Sequence, residues 1–82
     1  GKVRDGNGKP LSYGVVKVYF AGTRDLLLKK VIDQYGRYSA LVSPGNYEIT
    51  IERKNADQSY TEVYSSGVIN AKKGIINSDI TA

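Results

Sequence analysis

Hydrophobic and polar residues alternate along most of this chain, and clusters of turn residues interrupt the alternation at short intervals. Successive side chains of a strand point to opposite faces, so each alternating run divides into an inner and an outer row. Seven runs of this kind predict strands over 1–5, 14–22, 26–33, 37–42, 45–54, 59–69 and 74–82. Glycine, proline, asparagine and serine separate them, in "DGNGKP", "FAGTRD", "QYG", "SPGN", "SSG" and "KKG". No window keeps a helical period for three turns. The stretch "AGTRDLLLKKVIDQ" has residues that suit a helix, but Gly22 before the leucines and "YG" after them favour a short strand.

Phasing the runs assigns a core. In the second run Gly14, Val16, Val18 and Phe20 share the inner face, while Val15, Lys17 and Tyr19 face solvent. In the fifth, Tyr47, Ile49 and Ile51 point inward and Glu48, Thr50 and Glu52 outward. Tyr38, Ala40 and Val42 form the inner row of the fourth run, which leaves Leu41 outside. Ile76, Ser78 and Ile80 oppose Ile75, Asn77 and Asp79 in the last. The sixth run has no single phase, because Val63 lies on one side and Tyr60 and Tyr64 on the other. Tyr38 and Tyr47 each follow a glycine-bearing turn. Their rings are expected to fill a thin core while the hydroxyls reach backbone or water at the sheet ends.

Length sharpens this picture. A single domain of 82 residues buries only roughly 60–65% of the surface its unfolded chain exposes, so few interior positions are available. Starting at Gly1 inside a strand, with no initiating methionine, the chain is expected to be one domain, 1–82, cut from a longer protein. No apolar run is long enough for a signal peptide or a membrane helix, and membrane insertion is not expected. Lys+Arg number 12 against 8 Asp+Glu, a net charge of +4. The basic residues fall in scattered pairs, Lys29–Lys30, Arg53–Lys54 and Lys72–Lys73, with acidic residues between them. That spread fits solvated edges and loops better than a nucleic-acid surface, and no nucleic-acid partner is expected.

Candidate chemistry is scarce. The chain has neither histidine nor cysteine, which removes the usual general base, the thiolate nucleophile, disulfides and the commonest transition-metal ligands. The serines sit in turns or on strands with no local Ser–Lys motif. Asp5 and Asn7 have the first spacing of a calcium loop, but Lys9 takes the next alternate place and no distal carboxylate follows. The glycines of "GNGKPL" also miss both phosphate-binding patterns, since Leu11 and Pro10 stand where Gly and Ser/Thr are needed. "GRYSALV" offers no outward stacking platform for RNA, because its tyrosine faces the core. A self-made isopeptide between Lys2 or Lys17 and Asn77 or Asp79 needs a buried, protonated acid, whereas Glu48 and Glu52 are phased to water. Neither an enzyme nor a cofactor or metal site is expected.

Two stretches carry a resemblance. "GKVRDGNGKPLSYGVVKV" and "DQYGRYSALVSPGNYEITI" resemble the carboxypeptidase regulatory-like domains, a superfamily of prealbumin-like (transthyretin-like) sandwiches. The shared frame is a "D-x-x-G-K-P-L" turn after the first strand, "D-x-x-G-R-Y", and "P-G-x-Y" before the fifth strand. Asp5–Gly6, Gly8–Lys9–Pro10, Gly36–Arg37–Tyr38–Ser39, "SGVIN" and "KGIIN" are similar to the N-terminal domain of phage and prophage tail fibres. Lys73 stands where that branch usually has proline, and Gly14 where it often has cysteine. The resemblance implies an all-β, seven-stranded Greek-key β-sandwich with a non-enzymatic role. It further implies attachment of a tail fibre to the virion, with other domains of the same protein and virion proteins as partners in a homotrimeric fibre.

Two other roles compete with this one: a spacer or adhesion-stalk domain of a secreted or cell-surface bacterial protein, and a carbohydrate-binding module. Tyr13, Tyr19, Tyr60 and Tyr64 are the aromatic candidates for the last. For the attachment role, the outward apolar residues Val15, Tyr19 and Leu41 are the candidate interface.

Overall fold

β-Branched and aromatic residues at alternate positions form nine strands and no helix in the computed structural model, which describes residues 1–23 and 25–82. In chain order they are β1 (Val3–Arg4), β2 (Val15–Phe20), β3 (Leu26–Val31), β4 (Ala40–Leu41), β5 (Asn46–Lys54), β6 (Tyr60–Ser65), β7 (Ile69–Asn70), β8 (Ile75–Ile76) and β9 (Ile80–Thr81). An antiparallel sheet runs β3-β2-β5-β6, and β7 pairs with the start of β5. Two short pairs, antiparallel β4–β8 and parallel β1–β9, supply Ala40, Ile76, Val3 and Ile80 to the core that Val16, Val18, Ile49 and Ile51 form on the main sheet. Within the window that could have been helical, Leu26–Val31 form the edge strand β3, and Arg24 lies outside the described residues.

Each of the seven predicted segments is trimmed in the structure, 1–5 to Val3–Arg4, and two of them are divided. The run over 59–69 divides into β6 and β7 at Ser66. There the Ser66 N–H donates to the Ile49 carbonyl (2.9 Å) and the Ser66 hydroxyl accepts from the Ile49 N–H (2.9 Å). A side chain has replaced the backbone in the ladder. The run over 74–82 divides because its halves serve different neighbours: β8 pairs with β4 and β9 with β1. The run over 37–42 is paired only at Ala40–Leu41 and at a single bridge from Arg37 to Lys2.

Most inner positions are where alternation places them. Val16 faces Ile51 and Val18 faces Ile49 across β2–β5, and all four are buried, as are Tyr38 and Tyr47. Two positions differ. Phe20 pairs with Tyr47 on the inner face, ring centroids 6.0 Å apart, yet stays 43% exposed because it ends β2, at the limit of the sheet. Thr50 lies on the outer face but is only 4% exposed. It sits in a central strand opposite Lys17, whose Nζ reaches Glu52 Oε2 at 2.9 Å on that same face, so long side chains cover the small one.

The sixth segment has no single phase because it contains a bulge. Ile51 pairs with Tyr64 but Glu52 pairs with Glu62, so Val63 is an extra residue and the alternation resets. Val63 and Tyr64 both pack against the core as a result. A second bulge lies in β3, where Val18 pairs with Leu28 and Tyr19 with Leu26, leaving Leu27 over.

One turn design recurs three times. In Asp5–Lys9 and Asp33–Arg37 the aspartate Oδ1 accepts the N–H groups two and four residues on, at 2.8 and 3.0 Å and at 2.9 and 2.8 Å. The fourth residue, Gly8 or Gly36, has a left-handed backbone (φ 82 and 80). Residues 55–59 repeat the backbone bonds, Asn55 N–H to Ser59 O (2.8 Å) and Gln58 N–H to Asn55 O (3.1 Å), with Gln58 at φ 73 in the glycine's place. This is the turn-plus-bulge geometry of three-residue hairpin loops.

Candidate docking surface

A groove of about 440 Å³ opens where the end of β2 meets β3 and β4, lined by Phe20, Leu27, Leu28, Leu41, Val42 and Tyr47. Its walls follow from local structure. The β3 bulge brings both Leu27 and Leu28 to the groove, since the extra residue bends the strand and re-aims its side chains. Phe20 projects past the end of the covered face and rests on Tyr47, whose hydroxyl donates to the Ser43 carbonyl at 2.5 Å. Leu41, on the outward side of β4, is 76% exposed, Phe20 43% and Leu27 37%. Three large apolar side chains thus share one open depression.

The three interface candidates from the sequence do not form one patch. Leu41 lines this groove. Val15 borders a smaller depression of about 270 Å³ with Lys17, Lys29, Val31, Glu52 and Tyr60 on the outer face of the main sheet. Tyr19 is half-buried on that outer face, paired with Leu26 and Glu48, and borders neither depression. Alternation along the chain does not reveal Phe20 and Leu27 as groove residues. The first is phased inward, and the second depends on a bulge that no residue marks.

Several charged groups are engaged in surface structure. Lys17 is held charged to a higher pH than usual, chiefly by its hydrogen bond to Glu52. The Asp33 carboxylate lies below its ordinary range because it accepts the Arg37 backbone N–H, and then that of Tyr35. Asp57 is lowered in the same direction by the Ser59 hydroxyl, which donates to it at 2.5 Å, and by the Ser59 N–H. Asp5 and Asp33 each use Oδ1 to accept two turn N–H groups. Asp79 Oδ1 accepts the Lys2 backbone N–H (2.8 Å), while Lys2, Asn77 and Asp79 are all exposed. Neither lysine considered for an isopeptide lies in an apolar site. Among the described residues, no three His, Cys, Asp or Glu side chains gather in a metal-holding group, and no helix is long and apolar enough to cross a membrane.

Tyr38 shows what the buried tyrosines do. Its hydroxyl donates to the Ser78 carbonyl at 2.7 Å, and burial pushes its ionisation up to about 12, with Asp79 and Tyr64 adding to the effect. A phenol held neutral and committed to a carbonyl is a packing group with a satisfied end. No protein-family model matches the chain, no curated protein matches it, and no solved structure matches its fold.

Proposed function

We propose that this domain is a non-enzymatic attachment module that docks a neighbouring domain through the Phe20–Leu27–Leu41 groove. The observation that carries the reading is the exposure of three large apolar side chains in one depression, with Leu41 at 76%. Apolar surface gathered in one place is where a partner gains most from excluding water, whereas scattered exposed leucines need no explanation. The turn and strand motifs at Asp5–Pro10, Gly36–Ser39 and Pro44–Tyr47 support a prealbumin-like Greek-key sandwich of the carboxypeptidase regulatory-like kind. Within that resemblance, the role is attachment of a phage tail fibre to the virion, in a trimeric fibre.

On this reading the domain has neighbours in a longer protein, and the test uses that protein. Phe20→Ser with Leu41→Ser is expected to leave the β-sheet circular dichroism intact and to weaken assembly in sedimentation velocity. Tyr19→Ser, on the outer face, is expected to leave assembly unchanged. Full assembly of the double variant contradicts the reading. A spacer in a bacterial surface protein is the second reading, and the parallel pairing of the first and last strands favours it.

A further inference from the structure

We propose that the domain is built to bear tension, with β1 clamped on both sides as the element that resists it. The inference rests on the connector or spacer reading, since only a domain placed between neighbours transmits a pull. β1 and β9 run parallel, Val3 beside Ile80 and Arg4 beside Thr81. Chain polarity then sets the direction of load. A pull on the backbone at Gly1 draws β1 toward its N-terminal end, and a pull at Ala82 draws β9 toward its C-terminal end. Parallel neighbours loaded in this way slide lengthwise, so their cross-strand bonds are strained together. An antiparallel pair would set the two pulled ends side by side and open rung by rung.

The bonds that share the load are short. The Ile80 N–H donates to the Lys2 carbonyl (2.8 Å) and the Ala82 N–H to the Arg4 carbonyl (2.7 Å). Asp79 Oδ1 accepts the Lys2 N–H at 2.8 Å. On its other side β1 is tied as firmly. The Val3 N–H donates to Gly36 O (2.7 Å), the Tyr38 N–H to Gly1 O (3.0 Å) and the Leu11 N–H to Val3 O (2.9 Å). Sliding β1 would also drag the fully buried Val3 from the core. New pairing that keeps Val3 facing inward needs a shift of two residues, because a one-residue slip turns every side chain to the wrong face. Peeling is blocked by neighbours on both edges, and sliding breaks all of these contacts at once.

Single-molecule pulling tests this directly, because a chain without cysteine accepts unique thiol handles. One geometry pulls through the two chain ends. The other uses Val31→Cys with Glu62→Cys, two exposed positions on opposite edges of the main sheet, in the row Val31–Val15–Glu52–Glu62. Pulling across the sheet opens its ladders one rung at a time. The unfolding force through the ends is expected to be several-fold higher than across the sheet at equal pulling speed. Equal or lower force through the ends overturns the proposal. Asp79→Ala with Ala82→Pro removes one acceptor and one donor of the clamp at exposed or terminal positions. It is expected to lower the end-to-end force and leave the across-sheet force unchanged; an unaltered end-to-end force also overturns the proposal. Assembly lost in the groove variants bears on docking alone, so a clamp without docking and docking without a clamp are separate outcomes.

Discussion

Gln58 adopts φ 73 at the place where Gly8 and Gly36 stand in the sister turns. A side chain with a Cβ is strained there, by about 1–2 kcal/mol for an L-residue in the left-handed region. Gln58→Gly is therefore expected to raise stability by about 1 kcal/mol, after glycine's added unfolded-state freedom is set against the relief. Gly36→Ala is the converse case. Its Cβ would meet Val3 O at 2.8 Å and Pro10 Cβ at 2.9 Å in addition to the positive φ, so a loss of at least about 2 kcal/mol is expected. Urea denaturation of the two variants beside the parent measures both, and a destabilised Gln58→Gly would show that the glutamine is held by contacts rather than by the turn. Two of these turns are legible in sequence as D-x-x-G followed by a basic residue. The third is not, because Gln58 stands at the left-handed position where the geometry prefers glycine.

At the scale of elements, β3 is an edge strand with its outer backbone unpaired. Such edges invite another strand, and lysines on them discourage it. Leu26, Leu27 and Val31 are exposed on this edge, and only Lys29 and Lys30 interrupt the apolar row. Lys29→Thr with Lys30→Val is expected to leave the fold intact but to produce self-association that rises with concentration, read by light scattering. A monodisperse variant would show that the lysines are ordinary surface residues. The strands themselves were legible wherever alternation runs unbroken, as in β2 and β5. It failed where one extra residue resets the phase, at Val63 and Leu27, since a bulge is a property of the pairing and not of either sequence alone. Short partners such as β8 and β9 are paired strands only because β4 and β1 lie beside them.

Over the whole molecule, the scarce interior is filled mainly by Val and Ile, together with Leu11, Ala40, Ala71 and two tyrosines. The inner row was readable because a thin core permits few arrangements. The groove was not, because it joins the end of β2, a bulge in β3 and the outward side of β4, which meet only in three dimensions. Tyr38 and Tyr47 are both buried and close the core, each with its hydroxyl donated to a backbone carbonyl. Tyr38 gives this arrangement a pH signature. Its ionisation lies above the ordinary value of 10.0, at about 12 in the folded chain. The neutral phenol's contribution is therefore complete below pH 10 and is lost as pH rises through about 12. The direct measurement is the stability of the parent and of Tyr38→Phe by urea unfolding from pH 8 upward. The parent is expected to be the more stable by about 1 kcal/mol at neutral pH, through its bond to Ser78. That advantage should shrink, and then reverse, as pH climbs from 10 toward 12. A difference between the two proteins that stays constant across this range would contradict the account, because it would place the Tyr38 hydroxyl in open water.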